Sequence, residues 1–226
     1  MPFANRAEAG RELAAKLAGY RDQNPVILAL PRGGVPVAAE IAAALNAPLD
    51  LILVRKIGVP YEPELAMGAV ADGDASLVVR NEDVIRHLDI ADADFKAACE
   101  AELAEIERRR QRYLGNRRRA EVAGRTAIVV DDGIATGATT RAALRATRAR
   151  KPTRLVLAVP VAPADSLDEL RADADDIVCL ESHELFGAIG YYYRDFRQIS
   201  DEEVIDILGR FPASQYPEAK LPAAGG

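Results

Sequence analysis

The chain has 226 residues, 49% of them hydrophobic, with a net charge of −6, which suits one α/β domain with a core of its own. That acidic balance argues against a nucleic-acid binder, which carries a basic footprint. No apolar run approaches the length of a membrane span and residues 1–6 show no signal-peptide pattern, so a cytoplasmic protein with no membrane contact is expected.

Taken in order, Asn5 and Glu8 form a capping pair for a first helix with Leu13, Leu17 and Tyr20 on one face. Asn24-Pro25 ends it. Residues 26–30 read as a short buried strand, followed at once by Pro31-Arg32-Gly33-Gly34. Pro36 then sits in the first turn of a helix carrying Ala38, Ile41, Ala42 and Leu45 at helical spacing. This is a strand-loop-helix unit with an anion-friendly turn; the plainer alternative is a tight turn with a solvated Arg32.

Residues 49–54 form another buried strand, ending in Arg55-Lys56. The stretch 58–64 holds Gly58, Pro60 and Pro63 with Glu62 and Glu64, and reads as a surface loop. Residues 67–71 and 76–79 flank Asp72-Gly73-Asp74, a hairpin turn. Phe95, Cys99, Leu103, Ile106 and Tyr113 then recur at helical spacing, predicting a long amphipathic helix. A basic cluster follows: Arg108, Arg109, Arg110, Arg112, Arg117, Arg118 and Arg119. A solvated face is the favoured reading, with Glu105 placed to pair with Arg108 and Arg109; a polyanion contact is the alternative.

Residues 127–130 are apolar and β-branched, as in a strand buried on both faces of a parallel sheet. Asp131 and Asp132 arrive at its carboxyl end, where open α/β sheets place their ligands. Gly133, Ala135, Thr136, Gly137 and Ala138 make a small-residue loop, and Thr139 and Thr140 open a helix through Ala143, Leu144 and Thr147. Unpaired N–H groups and the helix dipole favour an anion there, while the carboxylates suit hydroxyls. One ligand with both parts is a sugar phosphate. An ordinary capped β-turn-α connection is the bland alternative. The Walker lysine is absent after Gly137, and Gly133 and Gly137 lack the dinucleotide spacing.

Residues 154–159 are a strand, Ser166 with Glu169 caps a short helix, and residues 177–180 are the last core strand. Five strands alternating with helices predict a mainly parallel five-stranded sheet flanked by helices. Five of the eleven residues 186–196 are aromatic (Phe186, Tyr191, Tyr192, Tyr193 and Phe196) in a chain only 5% aromatic. They suit a flat ligand, or else pack a dimer contact or the domain edge. His183 reads as a polar loop residue, with a catalytic base as the alternative. Ser200 with Glu203 caps a final helix, and the proline-bearing tail 212–226 reads as loose. Cys99 and Cys179 sit in apolar patterns and read as reduced core thiols. The chain reads as one domain over 1–226, with a core at about 24–200 and a helical insertion at about 81–120.

The stretch 127–139 closely resembles the 5-phosphoribosyl-1-pyrophosphate (PRPP) motif of type I phosphoribosyltransferases: a hydrophobic strand, two acidic residues and a Thr-Gly-x-Thr loop. The resemblance implies a Mg²⁺-dependent transferase displacing pyrophosphate from PRPP with a nitrogen nucleophile on a small-molecule acceptor, in a protein acting as a homodimer. By it, Asp131 and Asp132 would hold the ribose hydroxyls and assist Mg²⁺, and Gly133 with residues 135–139 would cradle the 5-phosphate. Arg32, Gly33 and Gly34 would bind pyrophosphate. Arg55 and Lys56 would join them from the root of a mobile loop that closes over the reacting centre, and includes a hairpin. Asp131, Asp132, Arg32 and Lys56 are the implied catalytic set. Phe186, Tyr191 and Tyr192 would form the acceptor hood, where the match to hypoxanthine-guanine enzymes is loose by one residue. Those enzymes carry an aspartate directly before the Thr-Gly pair; here that position is Ala135. The base would then be dispensable or come from Glu62, Glu64 or His183. A non-catalytic PRPP or nucleotide sensor is the rival reading.

Overall fold

The computed structural model describes residues 2–72 and 77–212. Gly73 and Asp74 of the anticipated turn, residues 213–226 of the anticipated tail, and the side chains of Pro63 and Glu64 lie outside the described residues. Helix α1 (Arg6–Lys16) begins at Asn5, whose side chain accepts the Glu8 N–H at 3.0 Å, as the capping pair predicts. Strand β1 (Pro25–Ala29), helix α2 (Gly34–Leu45) and strand β2 (Leu49–Leu51) follow. The chain then leaves the sheet through β3 (Val54–Val59), β4 (Glu62–Ala71) and β5 (Leu77–Arg80), passes α3 (Glu82–His87) and the long α4 (Asp92–Leu114), and returns as β6 (Thr126–Val130). Helix α5 (Ala138–Ala149), strand β7 (Arg154–Pro163), helix α6 (Ala164–Leu170), strand β8 (Asp176–His183) and helix α7 (Asp201–Gly209) complete it.

The central sheet has the order β2-β1-β6-β7-β8, with every neighbouring pair parallel. Its three inner strands, β1, β6 and β7, are buried almost throughout because both faces of the sheet are covered there. Ile27, Ala29, Ile128 and Val130 pack with Val35, Ile41 and Leu13 of the α1–α2 side, while Val26, Leu28, Ala127 and Val129 pack with Ala143, Leu144 and Leu167 of the α5–α6 side. Strand order reverses between β1 and β6, and such a switch point opens a crevice at the strands' carboxyl ends. The register pairs Ala29 with Val130, so the loops after these two strands leave the sheet side by side.

Three expectations are corrected. Residues 58–64 are not a plain surface loop: β3 and β4 form an antiparallel hairpin, with β5 as third strand of a separate sheet. Pro63 is tolerated there because the register jumps from Gly58↔Ala66 to Val59↔Glu62, a bulge in which the intervening residues owe no ladder bond. The predicted strand 49–54 is split, since Ile52 and Leu53 carry the chain from one sheet to the other. Helix α6 has no side-chain cap; Ser166 instead donates its hydroxyl to the Ala135 carbonyl at 3.3 Å. The capping box of Ser200 and Glu203 on α7 forms as read from the sequence. Both cysteines are free; Cys99 is buried, and burial pushes the Cys179 thiol up to about 11.

Candidate active site

The crevice between β1 and β6 is walled by two loops in direct contact. A Cβ on Gly33 would stand 2.1 Å from an Asp132 carboxylate oxygen, and one on Gly34 would stand 2.6 Å from the Val130 carbonyl and 2.9 Å from the Asp131 Cα. Only glycine permits that approach. The peptide between Pro31 and Arg32 is cis. The Arg32 Nη1 lies 3.5 Å from Asp201 at the start of α7.

After β6, Asp131 turns its Oδ1 back to accept the Asp132 N–H at 2.8 Å. The half-buried Asp131 carboxyl is pushed well above the ordinary carboxylate range, first by burial and next by the charge of Asp132. Beyond them, Ile134 N–H bonds the Val161 carbonyl at 3.0 Å, leaving Ala135 and Thr136 exposed at the loop crest. Gly137 has φ +73°, a left-handed conformation that favours glycine, and serves as the N-cap of α5 without any side-chain cap. The first-turn N–H groups of this helix therefore lack intrahelical partners and face the crest of the loop, the geometry of an anion cradle.

Asp132 has a partner that the sequence reading missed. Arg6, from the first turn of α1, donates its Nε to Asp132 Oδ2 at 2.7 Å, with both side chains nearly buried at 9% and 11% exposure. Its Nη1 donates to the Arg197 carbonyl at 2.9 Å, and its guanidinium carbon lies 4.0 Å from the Phe196 ring centroid. Tyr193 donates its hydroxyl to the Asp132 carbonyl at 2.6 Å and stacks on Phe196. Burial, then the Asp132 charge, pushes its phenol upward. Segments far apart in sequence are tied at the same place, Phe3 N–H to the Tyr192 carbonyl and Arg194 N–H to the Phe3 carbonyl, each at 2.8 Å. The one signal in the sequence was a cation in the first turn of a helix, where the dipole disfavours it.

The aromatic run thus divides. Tyr193 and Phe196 serve Arg6, whereas Phe186 stacks on Tyr192 (5.0 Å, 19°), which also faces His183 at 4.7 Å. Tyr191 is 78% exposed. His183 lies at the end of β8 rather than in a loop, its Nε2 3.3 Å from Glu181. On β3, Arg55 donates to Glu102 of α4 at 2.6 Å, and Lys56 follows with an exposed side chain. Glu62 starts β4 at the hairpin end and is exposed. The expected pairing of Glu105 holds: it accepts from both Arg108 and Arg109, which holds its carboxyl down at about 2. No described helix is long and apolar enough to cross a membrane.

Comparison with known proteins bears on what these loops belong to. Two Mycobacterium tuberculosis proteins, of strains CDC 1551 and H37Rv, both named as candidate phosphoribosyl transferases, are 48% identical to this chain over 210 residues, 92% of its length. The match takes up 46% of each relative, so the chain spans about half their length. The crystal structure of TT1426 from Thermus thermophilus superposes with a TM-score of 0.81 at 40% identity, covering 94% of this chain and all of that one. A model of the phosphoribosyl transferase domain matches residues 3–196, from the strand-like Phe3 beside Arg6 to Phe196 above it, and to that family the chain belongs.

Proposed function

We propose that the chain transfers a phosphoribosyl group from Mg²⁺·PRPP to a nitrogen nucleophile on a small acceptor. The observation that carries this is the contact of the two glycine-bearing loops, Gly33 against Asp132 and Gly34 against Val130 and Asp131. A ligand spanning them meets, in turn, the 31–34 loop, the carboxylates, and the uncapped N-terminus of α5. PRPP presents diphosphate on C1, hydroxyls on C2 and C3, and phosphate on C5 in the same order.

In this reading Asp131 accepts a ribose hydroxyl, and the N–H groups of residues 135–139 hold the 5-phosphate. Arg32, Arg55 and Lys56 supply positive charge around the leaving diphosphate. The C1–O bond breaks, the C1–N bond forms, and the nucleophile loses its proton. Such a reaction gains most from fixed orientation and from charge stabilisation in a water-poor site. The oxygen donors of Asp131 and Asp132 fit Mg²⁺, an ion that substrate phosphates and water commonly hold with the help of one or two carboxylates. When bound, the ion offsets diphosphate charge. The acceptor would meet the exposed Tyr191 and the Phe186–Tyr192 stack.

A second reading has one observation behind it. Asp132 is already engaged by buried Arg6, which suits a protein that binds PRPP without turning it over. Diphosphate release from Mg²⁺·PRPP across a panel of nucleobases and amines tests the transferase. Hypoxanthine and guanine are expected to be poor substrates, since Ala135 offers no base and general-base help contributes on the order of 10² to 10⁴ in rate. Stabilisation by Mg²⁺·PRPP that disappears in Asp131→Ala/Asp132→Ala, with no diphosphate release for any acceptor, favours the sensor. Absence of any PRPP-dependent stabilisation refutes both.

A further inference from the structure

Behind the 31–34 loop lies a second concavity, of about 230 Å³, between that loop, the C-terminal part of α4 and the start of α7. Arg32, Arg108, Arg109 and Arg112 line it together with Tyr113 and Asp201, and its wall is almost wholly polar. Four guanidinia gathered in one concave place are unexpected in a protein of net charge −6. Internal pairing does not absorb them. Asp201 accepts from Tyr113 at 2.5 Å and from Arg112 at 2.9 Å, but Arg32 stays at 3.5 Å, beyond a good hydrogen bond. Glu105 takes Arg108 and Arg109, and Glu202, at the rim, takes the other end of Arg112. Four cations still meet three carboxylates, and each guanidinium has five N–H donors to place.

We propose that this arginine cleft is a binding site for a compact polyphosphate that adjoins the carboxylate crevice at Arg32 and is formed otherwise by α4 and α7. Arginine forks match phosphate oxygens two at a time, and a cleft with little apolar wall offers nothing to a flat ring. Its volume is below the roughly 300–1,000 Å³ of pockets that enclose drug-sized ligands, so a short phosphate chain fits and a whole nucleotide does not. The chain is either free inorganic polyphosphate or the terminal phosphates of a longer molecule whose remainder stays outside. The expected solvated face is thereby corrected: Arg110 pairs with Glu107, Arg117 donates to the Leu49 and Leu208 carbonyls at 2.6 Å and Arg119 pairs with Asp72, whereas Arg118 is exposed to solvent. The proposal does not depend on PRPP turnover.

Titration calorimetry of the full chain with inorganic triphosphate, without Mg²⁺, is the test. Wild type is expected to bind, Arg109→Ala/Arg112→Ala to bind at least tenfold more weakly, and Asp131→Asn, an aspartate variant that keeps the buried Arg6–Asp132 pair, to bind no more weakly than wild type. Since Arg112 also ties α4 to α7, Arg108→Glu is the second variant; Arg108 is 61% exposed and should fold normally. It too should weaken binding at least tenfold. Competition by inorganic diphosphate and by an organic triphosphate then separates the two sources of the ligand: equal competition points to the free anion, and much stronger competition by the organic ligand to a terminal phosphate group. No binding by wild type, unchanged affinity in both cleft variants, or loss of binding in the aspartate variant overturns the site. A short single-stranded RNA that binds more tightly than triphosphate, through the same arginines, overturns the ligand class.

Discussion

The two loops at the switch point and the clasp around Arg6 meet at the same carboxylate pair, yet they are built from different material. The loops are main chain: consecutive residues leave adjacent parallel strands, and glycines let one backbone lie against the other. The clasp is side chain: Arg6 reaches Asp132 across 126 positions of sequence, and Tyr193 and Phe196 join them through a hydrogen bond and ring faces. A site assembled from contiguous backbone declares itself in a short stretch of sequence. One assembled from distant side chains stays silent until those segments meet in the fold.

The sharpest way to break the comparison is to remove the clasp's cation. Arg6→Ala leaves the Asp132 carboxylate nearly buried and uncompensated, which costs about 3–5 kcal/mol for such a pair. Urea denaturation should show that loss in the midpoint with little change in slope. A loss under about 1 kcal/mol, the scale of an exposed pair, would mean that Asp132 finds water or another donor at once, and the clasp would then be ornament.

Next in size is the loop contact. In Gly33→Ala the new methyl must displace the Asp132 carboxylate 2.1 Å away, and overpacking of that kind costs about 1–3 kcal/mol. It should also abolish stabilisation by Mg²⁺·PRPP, because the shifted carboxylate is part of the proposed ligand site. Retention of both stability and ligand response would show that the two loops can move apart freely.

How far the sequence was legible follows from the same distinction. Strand and helix alternation, the buried strand before Asp131 and the caps at Asn5 and Ser200 are local patterns, and the structure has them where the residues put them. The hairpin of β3 and β4 was obscured because Pro60 and Pro63 signal a loop, and only the register shift shows where the prolines are accommodated. Ser166 was misread as a cap because its hydroxyl has a non-local acceptor at Ala135. Arg6 left only its awkward place on a helix dipole.

That irregular hairpin gives a third prediction, intermediate between the two kinds of construction. Regular pairing runs from Val54↔Ala71 to Ile57↔Gly68 and fails beyond it. Backbone amides at 58–65 should exchange quickly in the free protein and those at 68–71 slowly, since protection follows ladder bonds and burial. Mg²⁺·PRPP should slow exchange at 58–65 if this tip closes over the crevice. Equal, strong protection throughout, with and without ligand, would count against a closing segment.

The smallest effect lies at the clasp's outer layer, where the two kinds of construction overlap. Glu203 caps α7 locally through Ser200 and also pairs with Arg197, whose carbonyl holds Arg6. Its carboxyl is held down at about 2, chiefly by Arg197 and next by the Ser200 N–H. A folded-state value below the ordinary one near 4.5 stabilises the protein above that ordinary value. The contribution then fades as pH falls toward about 2, because the folded state resists a protonation that the unfolded chain accepts. Wild type should therefore exceed Glu203→Gln in stability by a constant amount at neutral pH, and the gap should close on acidification. Solvent screens this exposed pair, so the gap is small, and added salt should narrow it further. A gap that persists unchanged in acid would assign the stabilisation to the neutral cap alone, and the Arg197 pair would then contribute nothing to holding the clasp.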